Sequence, residues 1–407
     1  MASVVAPGSL RAQVLANRPL QTLMLGHFTV DMYAGILPVM YPLLLHRFGL
    51  DLATLGLVAL AYSGGSSLSQ PLFGLLADRK GTSLIGIALA WTACFFATLG
   101  FAPTFPLLLA LAALAGLGSG AYHPMGAVTA ASVIEEGRRN AAMALYTSAG
   151  TFGAALGPLV GAAIFALLGL SGSALMLVPG LVAAGRLLGQ MRGAAFPRLP
   201  GRPRGAQAAV PLATGTLAVV VGVMMLRSWT IFGLQSFIPT WYASLGYSAA
   251  FYASLATTLV LANAIGAVGA GALADRVGRK QVIVASALFS VPAILVFAQF
   301  PGPAGFGTAA AIGLLGASTA PLLLVLAQQL MVGQAGFASG LILGLGFVTG
   351  AIGIPIMGAV ADRYGLQNAI RGQAIVALAS AILSLWLPSE TRMREIIARQ
   401  RAAHPAG

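Results

Sequence analysis

Long apolar stretches, separated by short clusters of Gly, Pro and charged residues, dominate the chain from residue 20 to residue 388. A helix that crosses the hydrocarbon core of a bilayer needs about 20 mainly apolar residues. The pattern therefore predicts an all-α integral membrane protein with twelve transmembrane helices. The predicted spans are 20–46, 53–77, 82–101, 105–131, 139–167, 173–191, 212–244, 249–274, 281–300, 305–332, 335–361 and 367–388.

Composition supports this interpretation. Hydrophobic residues make up 58% of the chain and charged residues only 8%, whereas soluble domains carry about 25% charged residues. The 52 glycines suit closely packed membrane helices, in which small residues let backbones approach. Cys94 is the single cysteine, so neither a disulfide nor a cysteine metal cluster is expected, and no cofactor or metal is predicted.

The net charge of +13 reflects topology, because Lys and Arg concentrate in alternate loops and hold them in the cytoplasm. Only Arg47, Arg363 and Arg371 fall in the other loops. Both termini are therefore predicted to be cytoplasmic, in a bacterial-type inner membrane, and nucleic-acid binding is not expected. The predicted cytoplasmic set is Arg11, Arg18, Arg79, Lys80, Arg138, Arg139, Arg186, Arg192, Arg198, Arg202, Arg204, Arg276, Arg279, Lys280, Arg392, Arg394, Arg399 and Arg401.

An internal repeat divides the chain. The segment 74–81 (GLLADRKG) returns as 271–278 (GALADRVG) at an offset of 197 residues, and His123-Pro124 falls on Ala320-Pro321 at the same offset. In the first helix of each half the offset is 201 residues. A constant offset over several helices indicates two halves of one ancestral unit. The predicted organisation is a tail at 1–19, a six-helix bundle at 20–191, an Arg/Pro/Gly-rich linker at 192–211, a second bundle at 212–388 and a tail at 389–407.

The repeated loop resembles the motif that major facilitator transporters carry between helices two and three and between helices eight and nine. The resemblance implies the major facilitator fold, with the loop residues acting as gates on the cytoplasmic face. The implied gating residues are Gly74, Asp78, Arg79, Gly81, Gly271, Asp275, Arg276, Gly278, Arg279 and Lys280.

Further segments resemble the fosmidomycin-resistance group of drug exporters. They include His27-x-x-x-Asp31-Met32, 118–124 (GSGAYHP), and Gly153, Gly157, Pro158 and Gly161 on the fifth helix. The fifth-helix residues also resemble the antiporter signature of drug–proton exchangers. Physically they form a face of small residues with a proline kink, which we expect to pack closely at the interface between the halves.

Four ionisable residues fall inside predicted spans: His27, Asp31, His123 and Arg227. Such groups cost about 2.5–3.5 kcal/mol each to insert, so a retained one needs a role. The resemblance implies that they face the central cavity, and we predict a cluster in which Asp31 pairs with Arg227 or a protonated histidine and carries a coupling proton. The alternative is a structural ion pair with two histidines bonded to backbone carbonyls. Weaker cavity candidates are Gln70, Tyr62, Tyr146, Gln235, Trp241, Asn263, Gln328 and Gln329.

The predicted function is secondary active transport by alternating access, with proton-coupled efflux of a small drug-like or anionic compound by a monomer. An importer or facilitator of a small organic anion or nutrient is the alternative within the same fold. A membrane-embedded enzyme is a remote alternative, because the sequence shows neither clustered acid–base residues nor metal-ligand spacing.

Overall fold

A computed structural model describes residues 17–133, 139–192, 214–317, 319–331 and 335–402. Most of the predicted N-terminal tail and of the linker lies outside these residues. Helices form nearly all of the described chain. They are α1 (Arg18–Phe48), α2 (Leu52–Lys80), α3 (Ile85–Thr98, extended by a 3-10 turn Leu99–Phe101), α4 (Phe105–Ser132), α5 (Arg139–Leu168), α6 (Leu177–Arg192), α7 (Thr214–Ser244), α8 (Ala249–Val277), α9 (Arg279–Gln299), α10 (Gly305–Ala317), α11 (Ala320–Leu330), α12 (Ala335–Tyr364), α13 (Leu366–Ser384) and α14 (Glu390–Ala402).

These helices match the twelve predicted spans. Ten stretches are long and apolar enough to cross a membrane; one of them, Met143–Met191, contains both α5 and α6, and the shorter apolar helix Ile85–Phe101 supplies the remaining span. The tenth predicted span is divided into α10 and α11. Pro321 lies at the start of α11, where its missing N–H breaks the hydrogen-bond ladder of a continuous helix. The predicted C-terminal tail contains α14.

The helices alternate in direction, so residue 17, the end of α6, the start of α7 and α14 lie at one end of the bundle. We call this end the terminal face, and the other end the opposite face. At the terminal face the Asn17 amide donates to the carbonyl of Val133, which ties the start of α1 to the end of α4. The first half comprises α1–α6 and the second half α7–α13.

The buried apolar side chains show how the halves meet. One cluster spans both halves on the side of the opposite face and includes Tyr41 of α1, Trp241 of α7 and Met357 of α12. Toward the terminal face there are two clusters instead, and each is confined to one half. Among the described residues, apolar packing therefore joins the halves near the opposite face and does not join them near the terminal face.

A polar contact closes the seam at the opposite face. The Asp362 carboxylate, at the end of α12, accepts hydrogen bonds from the backbone N–H groups of Leu52 and Ala53 at 2.8 and 2.9 Å. These N–H groups begin α2 in the other half, where a helix leaves its donors unpaired. Asp51 caps the same helix end from within its own half through Thr54. Two carboxylates thus cap one helix, one from each half.

Candidate functional site

Helix α1 carries the acidic centre of the candidate site. His27 and Asp31 are four residues apart, so their side chains stack on one face of the helix. The His27 Nε2 atom lies 3.3 Å from Asp31 Oδ2. His123 of α4 approaches from the other side, with its Nε2 atom 3.4 Å from Asp31 Oδ1. One carboxylate therefore lies between two imidazoles, and we call His27, Asp31 and His123 the histidine–aspartate cluster.

Helix α5 fixes the orientation of His27. The Nδ1 atom lies 2.9 Å from the carbonyl oxygen of Tyr146, and the Tyr146 ring stacks on the imidazole with centroids 4.4 Å apart. Because a carbonyl oxygen can only accept, Nδ1 carries a hydrogen. The Nε2 contact with Asp31 is then attractive only when a second proton lies on Nε2 or on the carboxyl.

Small residues on α5 let this arrangement form. Their contacts correct the prediction that they pack at the interface between the halves. A Cβ atom at Gly153 would meet the backbone of Phe28, and one at Gly157 would lie 2.7 Å from the carbonyl oxygen of Met32. Both contacts are to α1 of the same half, so the stripe does not pack at the interface between the halves. Gly161 faces Ile36 of α1, and the Pro158 kink lies between these positions.

Gly150 extends the same stripe toward the terminal face. A Cβ atom there would collide with Asp31 Oδ2 and would lie 2.6 Å from His27 Nε2. Only a glycine leaves room for the contact between these two side chains. The stripe therefore positions the histidine–aspartate cluster as well as packing two helices.

Two side chains of the cluster are partly accessible, and the third is nearly buried. The side chains of Asp31 and His123 are 23% and 27% exposed, whereas that of His27 is 11% exposed. Ser119 lies one turn before His123, with its Oγ 3.4 Å from the imidazole Nε2. The facing atoms of the three cluster residues all lie within 4.8 Å of one another, close enough to share one proton or to surround a small cation.

Comparison with known proteins gives this geometry its context. The sequence profile of the Major Facilitator Superfamily matches residues 23–221 and again residues 220–406. The chain belongs to the major facilitator superfamily. The two matches correspond to the two halves of the internal repeat, and the members of this superfamily are transporters rather than enzymes.

Two relatives are similar over most of their length. The uncharacterised MFS-type transporter YfnC of Bacillus subtilis (strain 168) is 31% identical over 382 residues, which cover 91% of this chain and 92% of the relative. The fosmidomycin resistance protein of Escherichia coli (strain K12) is 28% identical over 372 residues, covering 89% and 91%. The predicted resemblance to the fosmidomycin-resistance group is confirmed at the level of sequence.

Solved major facilitator structures share the fold. A bacterial homologue of the human lysosomal transporter Spinster, described as inward-facing and unoccupied, superposes with a TM-score of 0.79 at 15% identity and covers 97% of this chain and 99% of its own. The inward-open xylose transporter XylE of E. coli has a TM-score of 0.72 at 14% identity, with 93% and 98% covered. At these identities the likeness establishes the fold.

Arg227 lies apart from the histidine–aspartate cluster, which corrects the predicted pairing with Asp31. Its Nη2 donates to the carbonyl of Leu315 at 2.5 Å and to that of Gly316, both in the last turn of α10. Among the residues described, Arg227 forms no ion pair with a carboxylate. In this conformation both of these hydrogen bonds lie within the second half of the fold.

The weaker cavity candidates separate into groups. Tyr146 borders the histidine–aspartate cluster, with its ring stacked on that of His27. Trp241 is buried against Tyr242 and Phe297 in an aromatic group near the opposite face, and Gln329 accepts a hydrogen bond from Arg279 at the terminal face. These two positions do not border the histidine–aspartate cluster. Tyr62 is buried, and the remaining candidates are half-buried on α2, α7, α8 and α11: Gln70, Gln235, Asn263 and Gln328.

The repeated loops form tight turns at the terminal face. Gly81 and Gly278 end α2 and α8 with φ of 78° and 95°, values that favour glycine because other residues are strained there. Asp275 and Arg276 are exposed, and no ion pair joins them to another described residue. The side chains of Asp78 and Arg79 lie outside the described part of the chain. Gly74 and Gly271 lie within α2 and α8.

The second loop is held by α14. Arg279 donates to both carboxylate oxygens of Glu390, at 2.8 Å from Nε and 2.7 Å from Nη2. Lys280 donates to the carbonyl of Leu385 at 2.6 Å. The hydrogen bonds from Arg279 lower the pKa of the Glu390 carboxyl. Arg279 thus contacts the C-terminal helix, a partner that the motif did not reveal.

Sequence reasoning missed three residues at the site: Ser119, Tyr122 and Gly150. Ser119 is four residues before His123, so helical spacing could have found it. Tyr122 donates to the carbonyl of Leu23 at 2.9 Å and joins α4 to α1. Gly150 falls three residues before Gly153, and extending the small-residue stripe by one turn would have included it.

Proposed function

We propose that this protein is a proton-coupled exporter of a small drug-like or anionic organic compound and that Asp31 carries the coupling proton. One observation carries the proposal: a partly accessible carboxylate lies between two imidazoles, and one of them can contact it favourably only when the pair holds a proton. Histidine titrates near neutral pH, so this proton can be exchanged under physiological conditions.

Alternating access follows from the packing of the halves. The seam near the opposite face is closed by apolar contacts and by Asp362, while apolar packing does not join the described parts of the halves near the terminal face. If the distribution of Lys and Arg sets the orientation, the terminal face is cytoplasmic and the protein spans the inner membrane with both termini inside. The described conformation would then receive a substrate and release a proton on the cytoplasmic side.

Charge competition supplies the coupling. A substrate group that donates a hydrogen bond to the Asp31 carboxylate competes with the proton for it, whereas closure around the substrate-free cluster removes water and disfavours an ionised carboxylate. Proton binding from the opposite side and release to the terminal side would then accompany each cycle. The name of the E. coli relative supports export of a phosphonate such as fosmidomycin, and we propose that chemical class as the first substrate to test.

Everted membrane vesicles test this proposal. Wild-type protein should accumulate labelled fosmidomycin when the vesicle interior is acidic, and Asp31→Asn should not. Exchange of labelled for unlabelled compound at equal pH requires binding and movement but no net proton transfer. We therefore expect Asp31→Asn to retain exchange while it loses accumulation.

One control and two outcomes complete the test. His46→Gln changes a histidine at the end of α1 by the opposite face, so it should behave as the wild type. If Asp31→Asn accumulates the compound normally, proton coupling through this residue is wrong. If the wild type exchanges several compounds but accumulates none, the protein is a facilitator.

A further inference from the structure

The second half contains a buried cation that no carboxylate of the described residues neutralises. Arg227 is 7% exposed, and its Nη2 bonds the carbonyls of Leu315 and Gly316 at the end of α10. A helix C-terminus carries about half a negative charge, so it offsets only part of the guanidinium charge. The Nε–H group of Arg227 is buried and has no hydrogen-bond partner.

The acidic residues of the second half and of α14 lie elsewhere. Asp275 and Asp362 fall near the ends of α8 and α12, and Glu390 and Glu395 lie on α14 at the terminal face. Within the described ranges no carboxylate lies within ion-pair distance of Arg227. Buried charges in proteins are normally paired, because an unpaired one is strongly disfavoured.

A small cavity adjoins this arginine between α7, α9, α10 and α13. Its volume is about 20 Å³, and roughly 10–15 Å³ suffices for one water molecule. The cavity can therefore hold a single atom-sized occupant but no organic anion. It is lined by Arg227, Thr230, Ile231, Ser290, Ile294, Ile312, Gly316, Ala377 and Ser380.

Two unused hydrogen-bond donors border this cavity. The Ser380 hydroxyl is buried without a partner, as is the Arg227 Nε–H. The hydroxyls of Thr230 and Ser290 already donate to backbone carbonyls of their own helices. Two free donors beside an uncompensated positive charge favour an anion over a neutral water molecule, because an anion accepts both bonds and also neutralises the charge.

We infer that this cavity binds one chloride ion, held by Arg227 and Ser380. The ion completes the charge balance inside the second half and is too small to be the exported compound. Its site lies within one half of the fold, so it should persist while the halves move relative to each other. The inference does not depend on proton coupling at Asp31.

Thermal unfolding of the purified protein in detergent tests the site. Sodium chloride should raise Tm by several degrees over sodium gluconate at equal ionic strength, because an ion that binds only the folded state stabilises it and gluconate is too large for the cavity. Bromide, which is close to chloride in size, should act in the same way. In crystals grown with bromide, anomalous scattering should place the ion beside Arg227.

Ser380→Val fills the cavity and removes one donor without removing the buried charge. We expect this variant to fold and to lose most of the difference in Tm between chloride and gluconate. Arg47→Gln is the matched control. Arg47 also donates to two carbonyls, those of Gly100 and Ala102, but it is exposed, so its removal should leave the chloride effect unchanged. Equal Tm values in chloride and gluconate for the wild type, or a full chloride effect in Ser380→Val, would overturn the inference.

Discussion

The two halves of this protein use the same repeat for different chemistry. At an offset of 201 residues, Asp31 of the first half corresponds to Phe232 of the second, and at an offset of 197 residues Gly150 corresponds to Phe347. In the first half a glycine makes room for a carboxylate and its histidine. In the second half two aromatic rings fill the same place, with centroids 5.6 Å apart.

Ionisable groups follow the same division. The first half holds a carboxylate between two imidazoles: Asp31, His27 and His123. The second half holds Arg227, whose guanidinium is charged at physiological pH and is fixed to backbone carbonyls. The duplicated fold thus carries a carboxylate–imidazole group in one half and a buried guanidinium in the other.

The largest effect is expected when the Asp31 carboxylate, which has no counterpart in the second half, is removed. Asp31→Asn should eliminate gradient-driven transport, to the level of vesicles without the protein, because an amide cannot exchange a proton at neutral pH. Asp31→Glu keeps the carboxylate on a longer side chain and should retain part of the activity. Initial rates of accumulation at several pH values provide the measurement. Equal rates for Asp31→Asn and wild type would mean that the first half is not the site of coupling.

The small-residue stripe offers a more graded test. Gly150→Ala should push the new methyl group against Asp31 and His27, at a cost typical of overpacking, about 1–3 kcal/mol. Because this strain moves Asp31 and His27 from their positions in the wild type, we expect driven transport to fall roughly tenfold.

Gly161→Ala is the matched control for this substitution. Its Cβ atom would lie 3.1 Å from an atom of the flexible Ile36 side chain, a neighbour that can move slightly. We expect near-normal transport from this variant. Equal losses from both variants would show that the stripe matters for general packing of α1 and α5 and not for the cluster.

A smaller effect is expected when the hydrogen bonds of Asp362 between the halves are weakened. Asp362→Asn should weaken the cap that joins α12 to α2 and lower the preference for a closed opposite face by about 1 kcal/mol, which is a several-fold change in population. Distances between spin labels across the opposite face would report the change. Asp51→Asn removes a cap on the same helix from within one half and should shift the distances little. An identical shift in both variants would mean that the helix end, and not the seam, is being weakened.

The weakest effect concerns the docking of α14. Arg279 lowers the pKa of Glu390, so the ion pair stabilises docking above the ordinary pKa of this carboxyl. That contribution is lost as the pH falls through the ordinary value toward the lowered one. Because the Glu390 side chain is 39% exposed, we expect the contribution to be at most about 1 kcal/mol.

Hydrogen exchange of α14 amides can measure this docking. The protection factors of these amides, which correct for the intrinsic exchange rate, should fall below about pH 4.5. In Glu390→Gln they should already be lower at neutral pH. Protection that is independent of both changes would show that apolar contacts such as that of the buried Met393 hold the helix instead.

Much of this architecture was predictable from the sequence. Helix length, the repeat and the turn glycines are local properties, so the spans and the two halves could be read from the chain. The i, i+4 spacing of His27 and Asp31 fixed their shared face in the same way. The presence of His123 beside them depended on the family resemblance, because only the fold brings α4 next to α1.

The positions that could not be predicted depend on packing between helices. The small residues at 153 and 157 suit any close interface, and the sequence does not say which helix fills it. The sequence predicted that Asp31 pairs with Arg227 or with a protonated histidine. Arg227 instead donates to the carbonyls of Leu315 and Gly316 on α10, a contact that depends on how α7 and α10 pack. The α14 contact of Arg279 joins residues 111 positions apart, which no local pattern connects.

The measurement closest to the central claim is substrate-induced proton flux in liposomes with a pH-sensitive dye inside. The wild-type protein should acidify or alkalinise the lumen only when an exported compound is added, and Asp31→Asn should give no flux while it still exchanges labelled compound. His46→Gln should match the wild type. Proton flux of normal size in Asp31→Asn, or substrate movement by the wild type without any flux, would contradict the account.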